Sequence, residues 1–238
     1  MATPTERDLA ATIDHAILKP ELTRADVDAE LDIAAQWRVF SVCVRPSDIA
    51  YAVQRLAGTG VAVGTVIGFP HGTTSTAAKV AETRQAIADG AAEVDMVINI
   101  GALRSGFDDQ VVADIAAVVA AADGHVTKVI LETALLDDEQ IARGSRLTEQ
   151  GGAQFVKTST GFAGGGATVA DVELMRSQVG PDVQVKASGG VRSYADALAM
   201  LQAGATRLGT SGSAVILGEA RRVDAGEGAT GAVDASSY

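Results

Sequence analysis

The sequence predicts a single closed barrel of eight parallel strands, each followed by a helix: a (β/α)8, or TIM, barrel with a short flexible tail at its C-terminus. Three observations point there. Short β-branched runs alternate with helical spacing along the whole chain, which makes βαβ units and a parallel sheet. The runs recur about every 23 to 35 residues, close to one βαβ unit each, with no linker or composition break before Gly218. The Gly-rich turns follow the late strands. An open doubly wound sheet usually has its Gly-rich turn directly after the first strand. Here the first strand runs into His15-Ala16-Ile17-Leu18-Lys19-Pro20, without a glycine.

In order, strands are expected over 11–15, 39–44, 61–68, 93–98, 126–132, 154–158, 183–187 and 207–209. Helical spacing falls between them, over 25–36, 75–89, 109–122, 138–150, 169–179 and 194–203. Gly90, Gly151 and Gly204 sit just past a helix, where a C-cap takes a left-handed residue. The unit "helix, Gly-Ala, strand" recurs at Gly90-Ala91, Gly152-Ala153 and Gly204-Ala205. Residues 1–218 are expected to form the barrel, and residues 219–238, poor in apolar bulk, a helix end and a mobile tail.

Composition sets outer limits. At 238 residues and 47% hydrophobic, the chain can bury a large core, and with only 4% aromatics that core is aliphatic. A net charge of −11 argues against a nucleic-acid surface, which needs a basic stripe. The longest apolar-leaning run, 111–122, is too short to span a bilayer. The N-terminal residues lack the apolar segment of a secretory signal. With a single cysteine, Cys43, no intramolecular disulfide can form. These features lead to the expectation of a soluble, cytoplasmic protein with no membrane or nucleic-acid partner.

Several strands carry charge where a covered parallel sheet should be apolar. In Glu93-Val94-Asp95-Met96-Val97-Ile98-Asn99, Val94, Met96 and Ile98 share one parity, and Glu93, Asp95 and Asn99 the other. In Val183-Gln184-Val185-Lys186-Ala187-Ser188, Lys186 and Ser188 oppose the apolar set; Lys157 and Ser159 share a parity in the strand before. Side chains alternate faces with a period of two. The apolar parity should meet the helices, and Asp95, Lys157 and Lys186 should point into the barrel. A structural ion pair is the plain reading, but one carboxylate cannot neutralise two lysines, and both lysines lie near strand C-termini, where barrel active sites form. A lysine attacks a carbonyl only as the neutral amine, and burial or a second ammonium lowers its pKa. Lys157 is therefore the candidate nucleophile, Lys186 its perturber and Asp95 a proton-transfer group.

Three Gly-rich segments follow strands six, seven and eight: Thr158 to Gly166, Ser188 to Arg192, and Gly209 to Ser213. Each precedes a helical stretch, so their backbone N–H groups suit a phosphate. None closes on Gly-Lys-Ser or Gly-Lys-Thr, which excludes a P-loop.

Together, Asp95 in Glu-Val-Asp-Met-Val-Ile-Asn, Lys157 in Phe-Val-Lys-Thr-Ser-Thr-Gly and Lys186 in Val-Lys-Ala-Ser-Gly-Gly-Val-Arg resemble the deoxyribose-phosphate aldolase family. Residues 13–20 and Ser41-Val42-Cys43-Val44 resemble it too, so the likeness runs from Ile13 to Ser213. It implies a class I aldolase that cleaves 2-deoxy-D-ribose 5-phosphate reversibly to acetaldehyde and D-glyceraldehyde 3-phosphate, with no metal or other cofactor. By the resemblance, Lys157 carries the Schiff base, Asp95 and Lys186 move protons, and Gly161, Gly189, Gly190, Gly209 and Ser211 surround the phosphate. Asp14 and Thr160 are candidates for the sugar-hydroxyl region, and a homodimer is suggested. Some members end in a tyrosine on a mobile tail that assists proton transfer. The ending Ala235-Ser236-Ser237-Tyr238 is similar, with a plain disordered tail as the alternative. Phe162 departs from members that carry a lysine near the phosphate, which leaves Arg192 as a substitute.

Other residues stay open. Lys128 can pair with Glu132 or Asp95. Cys43 is either a small core hydrophobe or a reactive thiol near the mouth. His71 either lines the mouth or serves a turn. His15, His71 and His125 share no ligand spacing, which argues against a zinc aldolase. Two other functions compete: a related class I aldolase or transaldolase acting on another phosphorylated sugar, and a catalytically silent barrel that only binds sugar phosphates.

Overall fold

A computed structural model describes residues 3–235. Eight parallel strands close into a barrel in sequence order, and β8 pairs with β1. The strands are β1 (Ile13–Ile17), β2 (Ser41–Val44), β3 (Ala62–Ile67), β4 (Glu93–Val97), β5 (Val126–Ile130), β6 (Phe155–Lys157), β7 (Gln184–Ser188) and β8 (Arg207–Thr210). Around them lie α1 (Glu6–Ala10), α2 (Arg24–Trp37), α3 (Ile49–Arg55), α4 (Thr76–Ala88), α5 (Ile100–Arg104), α6 (Asp108–Ala121), α7 (Asp138–Gln150), α8 (Val169–Gln178), α9 (Tyr194–Gln202) and α10 (Ser213–Asp224). None of the described helices is long and apolar enough to cross a membrane.

The loops that enter the helices end on capping residues. Thr23, Ser75, Asp137, Thr168 and Ser193 each accept a backbone N–H from the first turn of α2, α4, α7, α8 and α9. Each such cap contributes about 1 kcal/mol. The returns into strands are equally regular. Gly90, Gly152 and Gly204 adopt φ of 100°, 83° and 109°, and the N–H of Ala91, Ala153 and Ala205 reaches back five residues to Ala86, Thr148 and Met200. That is the Schellman stop, used three times. At α7 the left-handed residue is Gly152, not Gly151, which corrects the expectation. Gly151 meets a different demand: a Cβ there would lie 2.4 Å from Ile115 Cγ2, so α7 and α6 touch only over a glycine.

The main core fills the shell between barrel and helices. Val94, Met96, Val129, Val156, Val185 and Leu208 from the strands meet Val27, Leu31, Ile115, Val172 and Ile216 from the helices, all at most 1% exposed. Each such side chain contributes about 1.5–3 kcal/mol. The barrel interior divides. Ala16, Leu18, Cys43 and Val66, from β1, β2, β3 and their ends, make a small apolar cluster. The β4 to β8 side, together with Asp14 of β1, is lined with charge.

One strand boundary is corrected. The first strand begins at Ile13, not 11, because Ala11 and Thr12 still donate to carbonyls of α1, a helix too short to show a period. The C-terminal segment, as far as it is described, is not loose. α10 runs unbroken through Gly218 to Asp224. The Glu219 carboxylate then accepts the N–H of Thr230 and Gly231, each at 2.6 Å. Val233 bridges Ser193, and Asp234 N–H donates to Arg192 O at 2.9 Å. The segment thus returns to the loops that follow β7 and β8. Tyr238 lies outside the described residues.

Candidate active site

Strand parity places Asp95, Lys157 and Lys186 together inside the barrel. Asp95 Oδ2 accepts from Lys157 Nζ and from Lys186 Nζ, both at 2.8 Å. Lys157 and Lys186 are register partners on β6 and β7, so one oxygen holds two neighbouring amines. Asp95 Oδ1 accepts from Lys128 at 2.9 Å. All four are at most 3% exposed.

The network extends further than parity alone revealed. Lys128 also donates to Glu93 at 2.6 Å, and its partner among the two expected is Asp95, not Glu132. Lys186 donates to Asp14 Oδ2 at 2.5 Å. Arg207 Nη1 donates to Asp14 Oδ1 at 2.8 Å and to Glu93 Oε2 at 3.1 Å. Ser41 adds a hydrogen bond to Asp14 at 2.6 Å. Asp14 therefore lines the cavity beside Lys157 with both oxygens already engaged.

Three carboxylates (Asp14, Glu93, Asp95) thus face four cations (Lys128, Lys157, Lys186, Arg207) in one buried cluster. Lys128, Lys186 and Arg207 each contact at least two carboxylates. Lys157 contacts one, through an oxygen it shares. Buried excess charge is costly, so the cation with the fewest counterions is the one to lose its proton. The pKa directions agree. Burial, with the charge of Lys186 assisting and Asp95 opposing, holds the Lys157 amine below the ordinary lysine range. Lys128 and Lys186 are also penalised by burial, but their carboxylates outweigh it and both are raised. Asp95 is held well below the usual carboxylate range by Lys128, Lys157 and Lys186 despite its burial. Lys157 is therefore the one lysine of the cluster whose amine is shifted toward the neutral form, while Lys186 beside it is shifted toward the ammonium.

The mouth carries the remaining expected residues. A cavity of about 10 Å³, room for roughly one water, is lined by Lys157, Lys186, Asp14, Thr160, Gly189 and Gly209 among others. Thr160 also lines a cavity of about 480 Å³ with Pro70, His71, Ile100, Glu132 and Phe162. His71 thus faces the mouth. Gly161, Gly189 and Gly190 are left-handed, with φ of 87°, 76° and 77°. Ser211 Oγ and Ser159 Oγ are buried with no hydrogen-bond partner among the described residues. Part of the glycine content serves packing: a Cβ on Gly166 would lie 2.4 Å from Gly189 O, so two Gly-rich loops touch backbone to backbone.

These observations describe a buried lysine with a single shared counterion at a barrel mouth, and comparison with known proteins supplies the family. The family described as DeoC/LacD aldolases matches residues 9–219. The chain belongs to the DeoC/LacD family of aldolases. It is 57% identical over 208 residues to deoxyribose-phosphate aldolase 2 of Staphylococcus aureus strain MRSA252, covering 87% of this chain and 94% of that one. Deoxyribose-phosphate aldolase 1 of the same strain is also 57% identical, over 205 residues. The tetrameric deoxyribose-phosphate aldolase of Aeropyrum pernix superposes with a TM-score of 0.85 at 32% identity, over 92% of this chain and 93% of that one.

Within this aldolase, sequence reasoning missed Arg207 as an interior group and Glu132 as a mouth group. Arg207 shares the parity of Gly209, which was the available signal. Glu132 sits just past β5 in a left-handed conformation, φ 61°. Its buried carboxylate accepts both the hydroxyl and the N–H of Thr160. Burial pushes its pKa up. No sequence pattern signals that contact. Phe162 packs edge-on against Phe69, with centroids 5.3 Å apart. Cys43 is buried, and burial followed by Asp95 pushes its thiol up to about 11. That favours the core reading over the reactive one.

Proposed function

We propose that this aldolase cleaves 2-deoxy-D-ribose 5-phosphate reversibly to acetaldehyde and D-glyceraldehyde 3-phosphate through a Schiff base on Lys157. The observation that carries the assignment of Lys157 is its single shared carboxylate in a barrel-interior cluster where Lys128, Lys186 and Arg207 each have at least two. The names of the Staphylococcus aureus and Aeropyrum pernix relatives support the substrate.

The proposed chemistry uses these groups in turn. The neutral Lys157 amine adds to C1 of the open-chain sugar, and loss of water gives the iminium, an electron sink. Removal of the C3 hydroxyl proton breaks the C2–C3 bond, releases D-glyceraldehyde 3-phosphate and leaves an enamine. Protonation at C2 and hydrolysis release acetaldehyde and the free amine. Asp95, held ionised, is the acceptor through which protons pass, and Lys186 the donor; Lys157 and Lys186 both donate to the same Asp95 oxygen, Oδ2. No cofactor is required in this scheme.

Gly161, Gly189, Gly190, Gly209 and Ser211 are proposed to hold the phosphate, with the unpartnered Ser211 Oγ as a ready donor. Arg192, exposed on the loop after β7, takes the place of the lysine that Phe162 lacks. Thr160, held by Glu132, is proposed for the sugar-hydroxyl side, with Asp14 behind it. A role for Tyr238 in proton transfer, a barrel domain of residues 1–218 followed over 219–238 by the end of α10 and a tail, a cytoplasmic location and a homodimeric state complete the proposal. The tetramer of the Aeropyrum pernix relative supports an oligomer.

The test is a coupled assay of acetaldehyde release from 2-deoxy-D-ribose 5-phosphate beside other phosphorylated sugars. Turnover of the deoxy sugar is expected to exceed the others by orders of magnitude. Preference for another phosphorylated sugar would move the assignment to a sister aldolase or transaldolase, and no turnover of any would leave a silent sugar-phosphate binder.

A further inference from the structure

The interior holds more charge than the imine chemistry uses. Arg207 and Glu93 are the first residues of β8 and β4, at the end of the barrel away from the mouth. Neither lines the cavity beside Lys157. The Arg207 guanidinium stacks on Phe40, 3.6 Å from the ring centroid, and lies 5.3 Å from that of Phe155. It donates to Asp14 and Glu93, and Glu93 in turn accepts from Lys128. We propose that Arg207 and Glu93 are positioning residues for catalysis: from the closed end of the barrel they set the charge count that leaves Lys157 as the free amine.

The argument is one of balance. With all groups ionised the cluster carries four positive and three negative charges. An arginine does not surrender its proton in a protein. Its fixed charge therefore forces the loss of a proton elsewhere, and Lys157 has the weakest claim to one. Without Arg207, three lysines would face three carboxylates and Lys157 would be needed as a counterion. Without Glu93, four cations would face two carboxylates and the amine would be freer still. The groups that face Lys157 are Asp14 from β1, Cys43 from β2, Asp95 from β4 and Lys186 from β7, with Glu132 beyond the end of β5; Glu93 of β4, Lys128 of β5 and Arg207 of β8 reach it only through the shared ion pairs of the cluster. β3 contributes no titratable side chain. Glu132 is engaged by Thr160 and makes no ion pair with the cluster's cations; it and Lys157 act on each other through space, as the smallest of the influences on the Glu132 carboxyl, and it is present unchanged in every variant compared below.

The inference rests on the Schiff-base reading of Lys157, and the test separates the two. The readout is the initial rate of borohydride-trappable imine formed with acetaldehyde, measured against pH for wild type, Arg207→Met, Glu93→Gln and the double variant. The acid limb is expected to move up by about one pH unit in Arg207→Met, the order expected for a unit charge acting across a barrel interior. At a pH below the limb that is about a tenfold loss of rate. The limb should move down in Glu93→Gln and return to the wild-type position in the double variant, where the count is restored. Arg207→Lys keeps the charge and should keep the limb, which preserves the test if Arg207→Met does not fold. Singles that shift the same way, singles that do not shift, or a double variant left displaced would overturn the charge-count inference. Absence of imine in the wild type would overturn the reading on which it rests.

Discussion

Replacing Lys157 with methionine should abolish activity and leave the protein at least as stable as before. The two side chains have similar length, so the barrel interior stays filled. Lys157→Met leaves three cations against three carboxylates, with Asp95 still bonded to Lys128 and Lys186. Lys128→Met removes one of the two cations on Glu93 and the lysine bonded to Asp95 Oδ1, and breaking a buried pair costs about 3–5 kcal/mol. The two variants, equal in chemistry, should therefore differ by several kcal/mol. The pH dependence sharpens this. Lys157 has a folded-state pKa below its unfolded value of about 10.4. Between those two values the unfolded chain binds the extra proton, so wild-type stability gains from this group as pH rises, by up to about 1.4 kcal/mol per pH unit. Lys157→Met lacks that slope. Its advantage over wild type should be largest below the folded pKa and shrink toward alkaline pH. Urea denaturation at neutral pH and near pH 9, at fixed protein concentration, measures both. If Lys157→Met loses as much stability as Lys128→Met, or if the difference from wild type does not change with pH, Lys157 is a charged structural partner and the balance argument fails.

Three further outcomes follow from the same geometry. Asp95→Asn should lower kcat by about 10²–10⁴-fold while changing KM far less, because it removes the oxygen that bridges the two amines; unchanged kcat would take Asp95 out of the scheme. Ser211→Ala should raise KM for the phosphorylated sugar and leave turnover of unphosphorylated deoxyribose unaltered, whereas an equal effect on both would remove Ser211 from the phosphate site. Cys43, with its thiol pushed up to about 11, should react with a disulfide reagent at neutral pH at least about 100-fold more slowly in the native protein than in urea; comparable rates would mean an open thiol.

The alternation of strand and helix was plain in the sequence because β-branched runs, capping residues and Gly-Ala returns all recur with the βαβ unit. Parity also told correctly which face Asp95, Lys157 and Lys186 take. It could not tell which residues meet across the barrel, since that depends on the stagger that closes β8 onto β1. Asp14 meeting Arg207 and Lys186 is a product of that closure. The cluster therefore read as one carboxylate and two lysines when it holds three carboxylates and four cations. Glu132 holding Thr160 joins two loops and leaves no periodic trace. Gly151 and Gly152 show another limit: two adjacent glycines, one needed for its backbone angle and one for a helix contact, look alike until packing separates them. The segment after Asp224 has the composition of a loose tail, and contacts from distant residues, among them the Glu219 carboxylate and the Ser193–Val233 bridge, tie it down as far as it is described.

The central claim is that Lys157, alone among the buried lysines, is an amine free to bond to a carbonyl. Incubation with acetaldehyde, reduction with borohydride and peptide mass analysis test it directly. The account predicts an ethyl group on Lys157 and none on Lys128 or Lys186. A folded protein with Lys157 unmodified, or with Lys186 modified in its place, would contradict it.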